Sequence, residues 1–219
     1  MRLRREKLLV SMTLQTVVAT VFIAVQRPAG PGGGISTPWF ASRLDCLLPL
    51  MPWTVWLYLS WYVAPAMILL ADRRSFRVYA SAVLFSFLCC TAGWLLLPAS
   101  IDRPTLDASA GLSISALRVV YRFDSPCNLF PSFHAALAAV VFLLPHGSGL
   151  ARAVVCGWML AICVSCVLTK QHYVFDVLSG ILVGWFAVAS AGRCAEWVDG
   201  LRAAAWRVPV SPSLSKDRS

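Results

Sequence analysis

The sequence predicts an all-α polytopic membrane protein, with six transmembrane helices in one bundle and both termini cytoplasmic. Three observations predict it. Hydrophobic residues make up 58% of the 219 residues and charged residues 13%, and the mean hydropathy is +0.71; a soluble domain carries about 25% charged residues. Long apolar stretches recur, near the roughly 20 residues that cross a bilayer core of about 30 Å. The basic residues divide unevenly between the connections. The composition also excludes a disordered chain, which cannot leave so much apolar surface in water. It argues against a soluble nucleic-acid binder, even at a net charge of +9.

The first stretch, Leu8 to Gln26, follows the basic start Met1-Arg2-Leu3-Arg4-Arg5-Glu6-Lys7. Its apolar run exceeds a signal-peptide core of about 7–15 residues, and no small-residue cleavage site follows, so it reads as a retained span. The second, Trp53 to Ala71, holds Trp53, Trp56, Tyr58, Trp61 and Tyr62. These read as an interfacial aromatic belt, with a ligand cage as the alternative. The third runs from Val78 to Leu97. The fourth, Ser132 to Pro145, is short: it continues past the proline or starts in a recessed vestibule. The fifth and sixth run from Arg152 to Leu168 and from His172 to Ala191. Helices are expected because lipid demands internally satisfied backbone groups, and the stretches are too long for barrel strands.

With the N-terminus in the cytoplasm, thirteen of the 19 Lys and Arg fall inside and six outside, the bias that orients membrane proteins. Much of the positive charge is thereby explained by topology, and no basic stripe interleaved with stacking aromatics points to nucleic acid. The expected organisation is a basic cytoplasmic N-terminus over residues 1–7, a six-helix membrane domain over 8–191 and a cytoplasmic tail over 192–219.

Between Pro98 and Pro131, Leu106, Ala110, Ile114, Leu117 and Tyr121 recur at three- and four-residue steps, which predicts a helix lying in the interface. Most of the eight cysteines lie within spans as small apolar residues, without zinc-like spacing. Cys46 and Cys127 both fall outside and are candidates for pairing. His146, beside Gly147-Ser148-Gly149, reads as a turn residue.

Ionisable groups inside spans are costly and mark function. They gather at the outer ends of spans four and six. In the first cluster, Asp124 to Ala136, Pro131 suits a first helical turn. Ser132 and His134 then sit where free N–H groups and the helix dipole attract an anion, with phosphate the obvious candidate. In the second, Ser165 to Asp176, His172 and Asp176 are four apart and share a helix face. The carboxylate can hold one imidazole nitrogen and leave the other to attack, and stabilise the charge that develops on the ring. His134 can serve as general acid, and Lys170 as a phosphate counter-charge. The alternatives are helix-packing hydrogen bonds and a metal site of two histidines and a carboxylate.

At these residues the chain resembles the type 2 phosphatidic acid phosphatase superfamily. Pro131-Ser132-Phe133-His134 matches that family's Pro-Ser-x-His signature, and His172 with Asp176 matches its His-x-x-x-Asp, with Ser165 where that signature begins. Arg103-Pro104 matches the Arg-Pro that ends its first signature. The ordered set spans about Asp45 to Ala191. The resemblance implies six core spans, with His172 as a nucleophile forming a phosphohistidine, Asp176 orienting it and His134 protonating the leaving alcohol. It also implies that Arg103 and Ser132 hold phosphate oxygens and that the chemistry needs no metal or cofactor. Two signature cations are replaced, by Leu96 and Cys166. In this respect, and at Leu48 to Trp53, Asp124 to Ala136 and Thr169 to Tyr173, the chain looks like the divergent branch of inositol phosphorylceramide synthase and sphingomyelin synthase.

The function this implies is transfer of a phospho-headgroup from a phospholipid to a lipid alcohol, since a phosphodiester needs fewer cations than a monoester. Lipid phosphate hydrolysis, with water as acceptor, is the alternative, and a non-catalytic transporter or assembly protein is the rival from another class. The expected partners are the phospholipid, the acceptor and the bilayer, with no nucleic acid; headgroup and oligomeric state leave no mark in the sequence. The expected location is a bacterial inner membrane with the site facing the periplasm, or the Golgi or ER lumen in a eukaryote.

Overall fold

A computed structural model describes residues 2–26, 43–63, 69, 72–107, 111–145 and 148–205. Among these residues the protein is all-helical, without a strand. The helices are α1 (Arg2–Val25), α2 (Arg43–Leu47), α3 (Val55–Ser60), α4 (Arg73–Leu96), α5 (Leu112–Phe123), α6 (Phe133–Leu143), α7 (Gly149–Leu168) and α8 (Val174–Ala205), with short 3-10 turns on either side of α3. Four of them contain segments long and apolar enough to cross a membrane: Arg4–Val25, Arg73–Leu96, Gly149–Leu168 and Val174–Glu196. The protein is thus a multi-pass membrane protein.

Two expected spans are not described as full-length helices. The second is described only as far as Val63, as a 3-10 turn, the six-residue α3 and another 3-10 turn; most of its remainder, like His146, lies outside the described residues. The fourth is α6, 11 residues long, or about 16 Å at 1.5 Å per residue. Phe133 and every residue from Ala135 to Val141 are buried. A helix that is apolar all round belongs inside the protein rather than against lipid.

Glycine brings α6 and α8 together. A Cβ on Gly180 would collide with the Ser132 carbonyl oxygen, and one on Gly184 with that of Ala136. Each step of four residues along one helix matches a step of four along the other, so the two run parallel with their backbones nearly touching. Small residues spaced in this way permit such an approach. Gly93 of α4 meets Pro131 and the Phe130 carbonyl in the same manner. The start of α6 is therefore clamped between α4 and α8.

The N-terminus of α4 is capped by the Asp72 carboxylate, which accepts from the Arg74 and Ser75 N–H groups. Arg73 pairs with Glu6 at 3.4 Å and Arg74 with Glu196 at 3.3 Å. These pairs gather the starts of α1 and α4 and the later part of α8 at one end of the bundle. Both histidine clusters lie at the other. There the connection after α4 runs beside the one before α6, with an isolated bridge between Ala99 and Asn128 and a 3.1 Å bond from Ile101 N–H to the Pro126 carbonyl. The helix predicted between Pro98 and Pro131 is α5. It starts at Leu112, so Leu106 precedes it and Ala110 lies outside the described residues, while Leu117 is fully buried beneath it. Cys46 and Cys127 are free thiols.

Candidate active site

α7 ends in a Schellman arrangement, with Lys170 N–H on the Val167 carbonyl and Gln171 N–H on that of Cys166, both at 3.0 Å. Lys170 takes the left-handed conformation this requires, at φ 54°. The chain turns sharply and delivers Gln171 and His172 beside the start of α8. Asp176, in the first turn of α8, accepts from the Tyr173 N–H at 2.9 Å, and Asp45 accepts from the Val174 N–H at 2.8 Å. The same Asp176 oxygen lies 3.4 Å from His172 Nδ1. Asp176 is fully buried and His172 is 5% exposed.

Ser132 caps α6, its hydroxyl accepting from the Ala135 N–H at 3.3 Å. His134 follows in the first turn. Its ring centroid is 5.8 Å from that of His172, 4.6 Å from Tyr58 and 4.8 Å from Trp61. Two aromatic rings thus fix the plane of His134.

Arg103 is tied down by its terminal nitrogens. Nη1 donates to the carbonyls of Asp124 at 2.6 Å and Tyr121 at 3.3 Å, Nη2 donates to Gln171 Oε1, and the guanidinium lies 4.6 Å from the Tyr121 ring centroid. Burial lowers the Arg103 pKa, opposed mainly by the charge of Asp124. Burial raises the Asp124 carboxyl, opposed by Arg103, by His172 and by the Tyr58 hydroxyl, which donates to it at 2.9 Å. Tyr121 is pushed up to about 12 by burial.

Arg103, Asp124, Asn128, His134, Gln171 and His172 line one end of a cavity of about 450 Å³. Arg103 Nε, Asn128 Nδ2 and Gln171 Nε2 are buried donors without partners. Leaving such groups unmet costs about 1–3 kcal/mol each, so three at the end of one cavity form a ready receptor for an anion.

Of the residues singled out in the sequence, His134, His172, Asp176 and Arg103 come together here. Two others sit apart from the cavity lining. Lys170 turns away and donates from Nζ to the carbonyls of Leu48 at 2.6 Å and Asp45 at 3.0 Å, at the end of α2. Ser132 is fully buried, with its hydroxyl taken up in the cap. Sequence reasoning missed Tyr58 and Trp61, which it gave to the aromatic belt, and Asn128 and Gln171, which lay inside the two clusters without assigned roles. Among the described residues, no three His, Cys, Asp or Glu side chains converge to hold a metal.

No protein-family model and no curated protein sequence matches the chain. Among solved structures, the crystal structure of Aquifex aeolicus LpxE is similar to it, with a TM-score of 0.51 and 16% identity over 69% of this chain and 92% of that one. The helical membrane bundle that carries the two histidines therefore has the fold of Aquifex aeolicus LpxE.

Proposed function

We propose that the protein is an integral-membrane lipid phosphatase that works through a phosphohistidine. The carrying observation is the convergence of His172, backed by Asp176 at 3.4 Å, with His134 across one cavity. With Nδ1 turned to the carboxylate, Nε2 of His172 attacks phosphorus as the bond to the lipid oxygen breaks. His134 gives that oxygen its proton, then takes one from the water that attacks the phosphohistidine, releasing phosphate and freeing His172. Arg103 Nε, Asn128 and Gln171 supply donors to the phosphoryl oxygens. The likeness to LpxE, a lipid phosphatase of the type 2 phosphatidic acid phosphatase superfamily, favours hydrolysis over transfer.

Transfer to a lipid alcohol is the second reading, and one observation favours it. Lys170 is engaged elsewhere, so Arg103 is the sole Lys or Arg among the described residues that line the cavity. So few cations suit a phosphodiester. The six-span topology, cytoplasmic termini and periplasm-facing site belong to the same proposal. The Glu6–Arg73 and Arg74–Glu196 pairs support it, because they put the starts of α1 and α4 and the later part of α8 at the end away from the site.

The test is an assay of purified protein in mixed micelles on phosphatidic acid, and on phosphatidylinositol with ceramide. Phosphate release from the first, lost in folded His172→Ala and His134→Ala, is the expected result. Headgroup transfer without phosphate release selects the second reading. Function unaltered in both variants overturns catalysis and leaves the transporter or assembly reading.

A further inference from the structure

The cavity is larger than a phosphate requires, and its polar groups sit at one end. The remaining wall is largely apolar and comes in good part from α1 and α4, including Leu14, Val18, Ala19 and Val83. Two contacts fix how these helices run. Lys7 Nζ lies 5.9 Å from the Phe76 ring centroid, and the Phe22 and Trp94 rings are 5.6 Å apart. The helices are thus parallel, with Ser11 near the depth of Tyr79 and Phe22 beside Trp94. Trp94 donates to the Pro131 carbonyl at 3.1 Å, so its end is the level of the histidines. From Phe22 to Ser11 is about 16 Å at 1.5 Å per residue. Beyond Ser11 the space closes: Lys7 is 7% exposed, Phe76 5% and Tyr79 3%.

We infer that the α1–α4 wall of the cavity seats one acyl chain of the lipid whose phosphate lies at Arg103, His134 and His172, and that the closed end at Ser11 and Tyr79 limits its length. The inference rests on the phosphoester reading above and adds where the hydrocarbon goes. Burial of apolar surface drives the seating. On its other side α1 exposes Leu9 and Val17, so this helix stands between the seated chain and the outside of the bundle.

The test compares hydrolysis of dioctanoyl and dipalmitoyl phosphatidic acid. Ala19→Phe narrows the seat and is expected to lower kcat/KM for the long chain relative to the short by about tenfold, the worth of roughly two buried methylene groups. Leu14→Ala widens it and moves the ratio the other way. Val17→Phe, on the exposed side of α1, leaves the ratio as in the parent. Opposite shifts of this kind do not arise from folding damage, and Leu14→Ala still reads the seat should Ala19→Phe fail to fold. Equal ratios in the parent and Leu14→Ala overturn the inference. If the parent hydrolyses no lipid phosphoester, the functional reading fails, and the seat is read separately with a phosphatidic acid carrying a photoreactive diazirine at its acyl terminus. Labelling of the buried Tyr79 and Val83 supports the seat; labelling confined to exposed residues overturns it.

Discussion

The Ser132 N–H donates to the Asp176 carbonyl oxygen at 3.0 Å. One residue caps the helix that bears His134; the other stands behind His172. This bond, with Gly180 and Gly184 packed against the same stretch, ties together the two segments that carry the imidazoles. The parallel contact of α6 with α8 therefore sets the geometry of the candidate site as well as the packing.

The first prediction concerns that contact. Gly180→Ala puts a methyl group against the Ser132 carbonyl oxygen and should destabilise by about 1–3 kcal/mol, the usual penalty for overpacking. Turnover should fall further than stability alone accounts for, because the two histidines move apart. A Cβ added at Gly157 or Gly192 would meet nothing within 4 Å, and alanine there should be neutral or stabilising. Thermal unfolding and kcat of the three variants check this; equal behaviour of all three rules out the close contact.

Asp176 has two separable tasks. Asparagine can still accept the Tyr173 N–H but brings no charge to His172. Asp176→Asn should keep its melting temperature and lose on the order of 10²–10³ in kcat, as removal of one electrostatic stabiliser does. Asp176→Ala should lose the cap as well, about 1 kcal/mol of stability. An Asn variant with parental kcat would make the carboxylate purely structural.

Lys170 joins the turn before α8 to the end of α2. Lys170→Met removes two charge-assisted bonds to carbonyls, and its expected cost is about 1.5–3 kcal/mol for each bond left unmade. KM for a phosphorylated lipid should stay within about twofold, well under one 1.4 kcal/mol decade. A tenfold rise in KM at unchanged melting temperature would return Lys170 to the phosphate site that the sequence had given it.

Asp124 gives a pH signature. Its carboxyl is raised by burial, so the folded state favours the protonated form. What this group contributes to stability is fully present below its unfolded pKa of about 3.9 and is lost as pH rises through the higher folded value. Asp124→Asn should therefore gain in melting temperature over the parent as pH is raised from acid to neutral. A difference independent of pH counts against the burial effect.

Much of the site was legible in the sequence because its chemistry is local. The spacing of His172 and Asp176 alone puts them on one face, and Pro131 with Ser132 announces the start of α6. The partners of these residues were hidden because they come from distant segments. Nothing near Tyr58 reveals that its hydroxyl reaches Asp124, 66 positions later. Charge and proximity pointed Lys170 toward a phosphate, whereas its Nζ donates to the Asp45 and Leu48 carbonyls, partners that lie more than 120 positions earlier. Composition gave the membrane class and showed the fourth stretch to be short, but hydropathy does not tell a lipid-facing helix from a buried one, so the burial of α6 was hidden. The spacing Gly180-x-x-x-Gly184 was the missed signal for its burial.

Because α6 and α8 run parallel, α7 must carry the chain back across the bundle between them. His134 is made first and waits, without its counterpart, until α7 and the opening turns of α8 have followed it from the ribosome. The two imidazoles thus meet only through the last helix of the chain to be made, the one that carries Gly180 and Gly184.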